Sequence, residues 1–450
     1  MGKLFGTDGI RGDANRFPIT PEIAVNLGRA VAVLFGRFSK DSKIVIGRDT
    51  RISGQMLEYA LGAGICSAGT DVHLIGVLPT PGIAFMTRFM KARAGIVVTA
   101  SHNPYSDNGI KIFDSNGYKL FDPKEAEVEK LMLTKELAIN CVGLRNIGRI
   151  FKNKDSEDSY AGFLKNVVSE PCLFKGIKIV TDCANGAVCK IAPRLFSDLG
   201  ADVIPVFVDP NGKNINANCG SEHNEALKTK VLENGADVGL GFDGDGDRLI
   251  AVDEKANVLN GDHLLLILAG FMKKQGTLQN NRVVSTIMSN MGFRVALKTM
   301  GIEHEISDVG DRYVMEKMIA TKAMLGGEDS GHVILPEHHT TGDGMLTAIK
   351  LIMAMISESK PLSELGSLMT MFPRCLEAVE VRCRPDLHTI PELEEAIKRI
   401  ELNLGKQGRA LVRYSGTQPF CRVMTECSDI DKAKEYCGEL VDLINDKIGS

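Results

Sequence analysis

The chain has 450 residues, of which 44% are hydrophobic and 24% are charged. This composition is typical of a globular protein, and the length predicts roughly two to four domains. Lys and Arg number 53 against 57 Asp and Glu, a net charge of −4, so no basic excess indicates a nucleic-acid or membrane partner. The first residues lack an apolar signal core, no apolar run could span a bilayer, and the 11 cysteines include no Cys-x-x-Cys pair. We therefore expect a cytoplasmic protein that binds neither nucleic acid nor membrane.

Short β-branched runs alternate with helical patterns through most of the chain. Strands are predicted at residues 43–47, 72–76, 95–99, 178–181, 203–206, 237–242, 249–252, 282–286 and 302–306. Alternation at this spacing indicates mixed or parallel sheets with helices on both faces. Beyond residue 373 the pattern changes to two strands and two helices, predicted at residues 378–381, 391–402, 410–413 and 431–447.

The fold class that follows is α/β, with three similar mixed-sheet α/β domains and a C-terminal α+β domain. Polar and turn-rich segments separate these domains, which we expect at residues 1–152, 153–254, 255–368 and 369–450. The polar stretch 151–159 is either a linker or the start of a helix. The candidate site motifs follow predicted strand ends, which is where open α/β sheets bind their ligands.

The most informative motif contains Asp243, Asp245 and Asp247, which alternate with glycines and precede Arg248. Three carboxylates this close repel one another unless a cation binds them. Oxygen ligands without nearby Cys or His favour Mg²⁺ or Ca²⁺ over zinc. The alternate glycines leave the backbone free to turn all three acids toward one point. A solvated acidic turn is the simpler alternative, and we favour the metal site because three acids are present.

Two other interpretations of this stretch fit less well. Gly239, Gly241 and Gly244 match a dinucleotide fingerprint, but a predicted strand follows where that motif requires a helix. The acids also match the spacing of an EF-hand calcium loop, with Glu254 in the twelfth place. Its sixth place requires glycine, and here it is Arg248.

Ser101 lies in the segment Thr-Ala-Ser-His-Asn-Pro, directly after a predicted strand. A serine that leaves a strand into a turn can hold its hydroxyl out into a cleft. The alternative is an Asn-Pro turn with a capping serine. Because Ser101 and His102 are chain neighbours, they are not taken as members of a Ser-His-Asp triad.

Two further motifs could carry proton transfer or sugar recognition. Lys111 is flanked by isoleucines, and apolar surroundings could lower its pKa enough for acid or base chemistry; an exposed face of an edge strand is the alternative. In the loop 326–332, Glu328 and Ser330 could hold sugar hydroxyls, while His332 could move protons. A purely structural turn is the alternative there.

Arginines occur in three more turns. In the tail, Arg413, Arg422 and the run Ser415, Gly416 and Thr417 suit a phosphate, although the Gly-Lys-Ser/Thr ending of a P-loop is missing. The segments 6–12, which contains Arg11, and 47–51 could each be a salt-bridged turn. The pair His338 and His339 with Asp343 is weak support for a transition metal.

Together and in this order, these segments resemble the α-D-phosphohexomutase superfamily over essentially the whole chain. The serine motif and the acidic loop identify the superfamily. The stretches that favour its glucosamine branch are residues 214–221, 309–314 and 327–332. Gln418 departs from the family pattern, which usually has glutamate in the tail loop. Since the change removes an acid beside a phosphate site, we expect no loss of anion binding.

The resemblance implies four domains around one central cleft and the interconversion of glucosamine 6-phosphate and glucosamine 1-phosphate, toward UDP-N-acetylglucosamine. Ser101 would be phosphorylated, and glucosamine 1,6-bisphosphate would be intermediate and activator. One Mg²⁺ per subunit would be bound by the seryl phosphate and the three aspartates. Mannose or glucose phosphates are alternative substrates within the superfamily, and a non-catalytic sugar-phosphate binding protein is a further alternative.

The remaining roles implied by the resemblance concern individual side chains. Arg11 and Arg248 would lie close to the seryl phosphate. Lys111 and His332 would be general base and acid and would exchange roles between half-reactions. The small-molecule partner would be a hexosamine phosphate, with its sugar hydroxyls at Glu328 and Ser330 and its second phosphate at the tail loop. A homodimer is the oligomeric state that we consider.

Overall fold

The computed structural model describes residues 4–6, 8–36, 42–133, 142–168, 170, 172–405, 408–415 and 419–450. The chain forms two compact units. The first contains Met1–Ile287 and Glu305–Gly366, and the second contains Met288–His304 and Ser367–Ser450. Within the described part of the chain, every helix is too short or too polar to traverse a lipid bilayer.

The N-terminal part of the first unit is a mixed sheet with helices. Its strands are β1 (Ile10–Asp13), β2 (Lys43–Arg48), β3 (Asp71–Val77), β4 (Ala94–Val98), β5 (Asp107–Asp114) and β6 (Ile150–Lys152). Its helices are α1 (Pro21–Val31), α2 (Gly54–Ser67), α3 (Thr80–Phe89) and α4 (Asp122–Leu133). The strand order is β1-β5-β4-β2-β3-β6. β2 is parallel to β3 and β4, and β5 is antiparallel to β4.

β5 lies between β1 and β4, so it is not an edge strand. Lys111 on β5 is only 2% exposed. The alternative interpretation of Lys111 as part of an exposed edge is therefore wrong, because the N-terminal strand β1, which the sequence pattern did not predict, covers that edge.

A second mixed sheet follows. Its strands are β7 (Lys178–Asp182), β8 (Asp202–Val206), β9 (Val238–Phe242), β10 (Leu249–Asp253) and β11 (Val258–Leu259), in the order β11-β10-β9-β7-β8. Its helices are α5 (Ser156–Lys165), α6 (Ile191–Asp198) and α7 (Glu225–Asn234). β9 and β10 are antiparallel and pair Phe242 with Leu249, so residues 243–248 form the loop of a hairpin. A strand follows the glycine cluster, which excludes the dinucleotide and EF-hand interpretations.

The next stretch supplies β12 (Arg282–Thr286), β13 (Glu303–Ser307), β14 (Gly326–Gly327) and β15 (Val333–Ile334). Its helices are α8 (Gly261–Lys274), α9 (Met291–Thr299), α10 (Asp311–Thr321), α11 (Gly344–Glu358) and α12 (Leu362–Gly366), of which α9 belongs to the second unit. β12 is parallel to β14, and β14 is antiparallel to β15. The loop 328–332 connects β14 with β15.

The second unit contains an antiparallel sheet in the order β16-β18-β17. Its elements are β16 (Arg374–Glu380), α13 (Pro391–Leu404), β17 (Gly408–Tyr414), β18 (Phe420–Cys427) and α14 (Ile430–Ile448). The two strands predicted here are present but longer, and the central strand β18 was not predicted. The α/β class with a C-terminal α+β part is confirmed, and the four domain boundaries stay a prediction.

Helices α1 and α2 cross at glycines. A Cβ added to Gly64 would lie 2.1 Å from the carbonyl oxygen of Val25, and one added to Gly28 would lie 2.4 Å from that of Leu61. Both distances are shorter than a carbon can approach a carbonyl oxygen, so the helix backbones touch. Gly62, on the same helix as Gly64, differs because its added Cβ would meet side chains and no backbone, with Ile150 at 3.5 Å and Val72 at 3.9 Å.

We predict that Gly64→Ala lowers the free energy of unfolding by about 1–3 kcal/mol, because the methyl group forces the helices apart. Gly62→Ala is the matched control and should leave stability unchanged or raise it by up to about 1 kcal/mol, since alanine is the better helix former. Urea titration followed by circular dichroism measures both. Equal stability of the two variants would contradict this account of the packing.

Candidate active site

The loop after β4 presents Ser101 in a constrained conformation. Ser101 is 1% exposed and has a φ of 52°, in the left-handed region that serine rarely adopts. Its N–H donates to Thr99 Oγ1 at 2.9 Å, and its carbonyl accepts from Arg51 at 2.9 Å and Asn216 at 2.8 Å. Surrounding contacts of this kind are what keeps a strained residue in place at a functional site.

Arg51 is the anchor of this loop. Its guanidinium pairs with Asp49 at 2.8 Å and donates to the carbonyls of Asn103 at 2.8 Å and Asp107 at 3.0 Å. Both charged side chains are fully buried. Burial raises the pKa of Asp49 even though Arg51 opposes the shift. Residues 49–51, directly after β2, thus form a salt-bridged turn, and Arg51 holds the serine loop in place.

The hairpin loop between β9 and β10 brings the three acids together. Asp243, Asp245 and Asp247 are buried, and one oxygen from each lies within 4.8 Å of the others. Burial, and then the charges of the other two acids, raise the pKa of Asp243 well above its usual value. Oδ1 of Asp245 and Oδ1 of Asp247 are buried and accept no hydrogen bond from the described residues. Two available oxygens in a set of clustered carboxylates fit a hard divalent cation.

Ser101 and the acidic loop are in direct contact. The Ser101 hydroxyl donates to Asp243 Oδ2 at 2.6 Å. A Cβ added to Gly244 would lie 2.7 Å from the carbonyl oxygen of Ser101. Glycine at 244 therefore lets the two loops approach closely enough for the hydroxyl to reach the acids.

Lys111 lies among carboxylates, not apolar side chains. Its Nζ is 3.1 Å from Asp8, 3.2 Å from Asp245 and 3.7 Å from Asp247. Burial would lower the pKa of Lys111, but the combined charges of Asp245, Asp8 and Asp247 outweigh it and raise the pKa. The expected lowering of this pKa is wrong, because the flanking isoleucines say nothing of what the ammonium group meets.

The loop between β14 and β15 places Glu328, Ser330 and His332. The ring nitrogens of His332 lie 3.6 Å from Asp247 and 3.6 Å from Asp311. Burial would lower the pKa of His332, but these two carboxylates raise it overall. Glu328 accepts from the N–H of Gly310 at 2.9 Å, and burial raises its pKa. The Ser330 hydroxyl is buried and has no hydrogen-bond partner among the described residues.

Arg11 and Arg248 each face a carboxylate, and His102 lies beside Ser101. Arg11 pairs with Asp8. Arg248 lies 3.6 Å from Glu222 and 3.9 Å from Asp247. Burial would lower the pKa of Arg248, but the charges of nearby acids, first Asp247 and then Asp243, raise it overall. His102 Nδ1 is 3.4 Å from the Ser101 hydroxyl. Burial and then Arg248 lower the pKa of His102 to about 4, so its ring is neutral near pH 7.

Three site residues were not found from the sequence. Lys119 Nζ is 2.7 Å from Asp8 and also pairs with Asp311, which faces His332. Asp8 and Asp311 lie in stretches that we quoted for the family resemblance, but no role was assigned to them. Nothing in the sequence around Lys119 indicated that it lies half-buried between two acids.

The tail hairpin in the second unit carries two opposed arginines. Arg413 on β17 faces Arg422 on β18, and burial and then Arg422 lower the pKa of Arg413. The N–H of Ser415 donates to the carbonyl of Phe420 at 2.8 Å. Like charges opposite each other destabilise a sheet. A bound anion would therefore offset the repulsion between these two arginines. Gly416, Thr417 and Gln418 lie outside the described residues.

The pair His338 and His339 with Asp343 does not form a metal site. Burial lowers the pKa of His339 to about 3, and its Nδ1 accepts from Thr340 N–H at 2.9 Å. Asp343 accepts from Tyr160 Oη at 2.6 Å. Of the groups in the described chain, the acids on the β9–β10 hairpin are the metal-ligand cluster, and these histidines are not part of it.

Comparison with known proteins decides the family. Profiles of phosphoglucomutase/phosphomannomutase domains match in order: α/β/α domain I at residues 2–138, α/β/α domain II at 158–257, α/β/α domain III at 260–372 and the C-terminal domain at 376–443. The chain belongs to the phosphoglucomutase/phosphomannomutase family. The superfamily assignment made from the motifs is confirmed.

Individual relatives span the full chain. The phosphoglucosamine mutases of Syntrophus aciditrophicus and Syntrophobacter fumaroxidans are each 51% identical to it over 449 residues, covering 100% of both chains. A solved structure of a family protein from Burkholderia thailandensis matches with a TM-score of 0.79 at 22% identity, covering 100% of this chain and 99% of that one. At this low sequence identity, the similarity to the solved structure indicates the fold alone.

We predict that Arg51→Met lowers the free energy of unfolding by about 3–5 kcal/mol, because it leaves Asp49 buried without its counter-charge. Arg16→Met is the control: Arg16 forms an ion pair with Asp13, but its side chain is 80% exposed, so the loss should be under about 1 kcal/mol. Urea titration measures both. If Arg51→Met unfolded at the same urea concentration as the parent, the anchoring role would be refuted.

Proposed function

We propose that this protein is a phosphoglucosamine mutase, which interconverts glucosamine 6-phosphate and glucosamine 1-phosphate toward UDP-N-acetylglucosamine. The observation that carries the proposal is the 2.6 Å contact between the Ser101 hydroxyl and Asp243 in the buried acid cluster. It occurs in a chain about half identical, end to end, to proteins with that name. A buried serine beside clustered acids suits phosphoryl transfer, in which a cation offsets the charge of the phosphate.

The cofactors of this reaction are one Mg²⁺ per subunit and a phosphorylated Ser101. Asp243, Asp245, Asp247 and the seryl phosphate would hold the metal. When bound, Mg²⁺ neutralises charge on the transferring phosphoryl group. The two carboxylate oxygens without hydrogen bonds support this assignment.

The reaction has two half-reactions with Ser101 as the common acceptor and donor. In the first, the bond between Ser101 Oγ and phosphorus breaks as the free hydroxyl of the sugar phosphate bonds to that phosphorus. The product is glucosamine 1,6-bisphosphate. In the second, the other phosphoryl group of this intermediate moves to Ser101, which releases the isomeric monophosphate and restores the phosphoserine.

Lys111 and His332 are the proposed proton carriers. One takes the proton of the attacking hydroxyl while the other protonates the departing oxygen, and they exchange roles in the second half-reaction. Both side chains lie against Asp247, at 3.7 Å and 3.6 Å, which supports their placement at the transferring group. Arg11 and Arg248 would bind the seryl phosphate.

The substrate itself would be held at two places. Glu328 and Ser330 would bind sugar hydroxyls. The buried Ser330 hydroxyl, which has no partner in the described part of the chain, supports this role. The phosphate that does not react would bind the tail segment, which is Arg413, Ser415, Gly416, Thr417 and Arg422. The homodimeric state and the cytoplasmic location stay predictions.

The substrate preference is tested by parallel assays with the 1-phosphates of glucosamine, mannose and glucose under the same Mg²⁺ concentration. We expect the highest kcat/KM with glucosamine 1-phosphate. A higher kcat/KM with mannose 1-phosphate or glucose 1-phosphate would overturn the assignment in favour of a phosphomannomutase or phosphoglucomutase.

Ser101→Ala should reduce turnover at least about a thousandfold, because no other group can accept the phosphoryl group in that position. The same variant should lose the added mass of one phosphate in intact-protein mass spectrometry. Ser106→Ala, on the exposed part of the same loop, is the control and should keep full activity. Normal turnover by Ser101→Ala would refute the phosphoserine.

Asp245→Asn should weaken metal binding about tenfold or more, since it replaces a charged ligand by a neutral one of the same shape. The measurement is a titration with Mn²⁺ followed by electron paramagnetic resonance, together with the Mg²⁺ dependence of activity. Asp237→Asn, at the exposed start of the same hairpin, should bind like the parent. Equal affinity in both variants would show that the cation lies elsewhere.

A further inference from the structure

Arg88, near the end of α3, is a half-buried cation without an anionic partner in the described chain. Its Nε is buried and donates to no described acceptor. Burial lowers the pKa of Arg88, which is the effect of removing a guanidinium from water without supplying a carboxylate. Buried arginines are normally paired, and an unsatisfied buried donor requires an explanation.

Arg88 lines an open cavity of about 570 Å³ in the first unit together with Lys91 and Arg93. No ion pair joins any of these three cations to a described residue, and no carboxylate lines the cavity. The nearby carboxylate of Asp114 faces its own turn, where it accepts the N–H groups of Asn116 at 2.8 Å and Tyr118 at 3.0 Å.

The other polar side chains that line the cavity are those of Ser115, Asn116, Tyr118 and Thr340. The Thr340 hydroxyl already donates to the carbonyl of Gly117, which leaves Ser115, Asn116 and Tyr118 as the available donors. These donors, together with two guanidinium groups and an ammonium group, match the oxygens of a phosphate, to which guanidinium binds through two parallel hydrogen bonds. The volume is that of a site for a small organic molecule and exceeds what a single inorganic ion needs.

We propose that this cavity is a second anion site, which binds a small organic phosphate through Arg88, Lys91 and Arg93. It contains none of the residues assigned to the candidate active site. The proposal therefore does not depend on the function proposed for Ser101.

The position of the cavity connects it to the active site through two short segments. Residues 115–118 form the turn that leads to Lys119, whose Nζ is 2.7 Å from Asp8. Thr340 Oγ1 donates to the carbonyl of Gly117 at 2.6 Å. Two residues further on, the N–H of Gly342 donates to His332 Nε2 at 3.1 Å. A phosphate in the cavity would touch both segments and restrict their motion.

The test is binding of inorganic pyrophosphate, as probe, to the full chain in metal-free buffer. Isothermal titration calorimetry gives the affinity, and hydrogen–deuterium exchange of the peptide that contains residues 113–119 locates the site. We expect slower exchange of this peptide with pyrophosphate. Arg88→Gln and Arg93→Gln should each weaken binding about tenfold, the effect of losing one charge-assisted contact, and should abolish the change in exchange.

Lys175→Gln is the matched control, because Lys175 is an exposed cation of the same unit that does not line the cavity. It should bind like the parent. Arg93 is exposed, so Arg93→Gln decides the question if Arg88→Gln proves unstable in a thermal melt. Unchanged exchange of residues 113–119 in the parent, full affinity in Arg93→Gln, or an equal loss in Lys175→Gln would each overturn the proposal.

Discussion

The structure depends on the need to neutralise three carboxylates that a single hairpin loop holds inside the protein. Within five residues of chain, Asp243, Asp245 and Asp247 bring one oxygen each to within 4.8 Å of the others, and all three are buried. Buried charges of one sign are tolerated only when cations or a metal compensate them. The cationic side chains packed around this loop meet part of this requirement.

Two of the compensating groups come from distant parts of the chain: Lys111 lies on the interior strand β5, and His332 lies on the loop between β14 and β15. The third, Arg248, is at the end of the acidic loop itself. Even so, Asp245 and Asp247 each keep one buried oxygen that accepts no hydrogen bond from the described residues. The protein cations therefore balance much of the charge and leave oxygens available to a divalent ion.

The same loop determines how the serine is presented. Ser101 reaches Asp243 because Gly244 permits close approach of the two loops and because Arg51 and Asn216 hold the serine carbonyl. Neither of these supports touches the reacting atoms. They hold Ser101, whose backbone is in the left-handed region, in one orientation. Its hydroxyl is therefore positioned before a substrate arrives.

Local residue patterns in the sequence were sufficient to predict many of the strands and the main site motifs. Strands β2, β3, β4, β7, β8, β9, β10, β12 and β13 were predicted within a few residues. The clustered acids and the serine motif were recognised as site candidates. The site residues and the strand that were not predicted from the sequence depend on contacts between residues far apart in the chain. The pairing of Lys119 with Asp311 joins residues 192 positions apart, and the isoleucines beside Lys111 do not reveal that its ammonium group meets carboxylates. Likewise, β18 was missed because its burial depends on the two strands that flank it.

In the proposed function, the acids of this hairpin and Ser101 share one divalent cation. The most direct measurement is an anomalous difference map from crystals grown with Mn²⁺, an ion that accepts the same oxygen ligands as Mg²⁺. We expect one strong peak within about 2.5 Å of an oxygen of each of Asp243, Asp245 and Asp247, on the side that faces Ser101. A map with no peak at this hairpin, or with its peak at other acids, would contradict it.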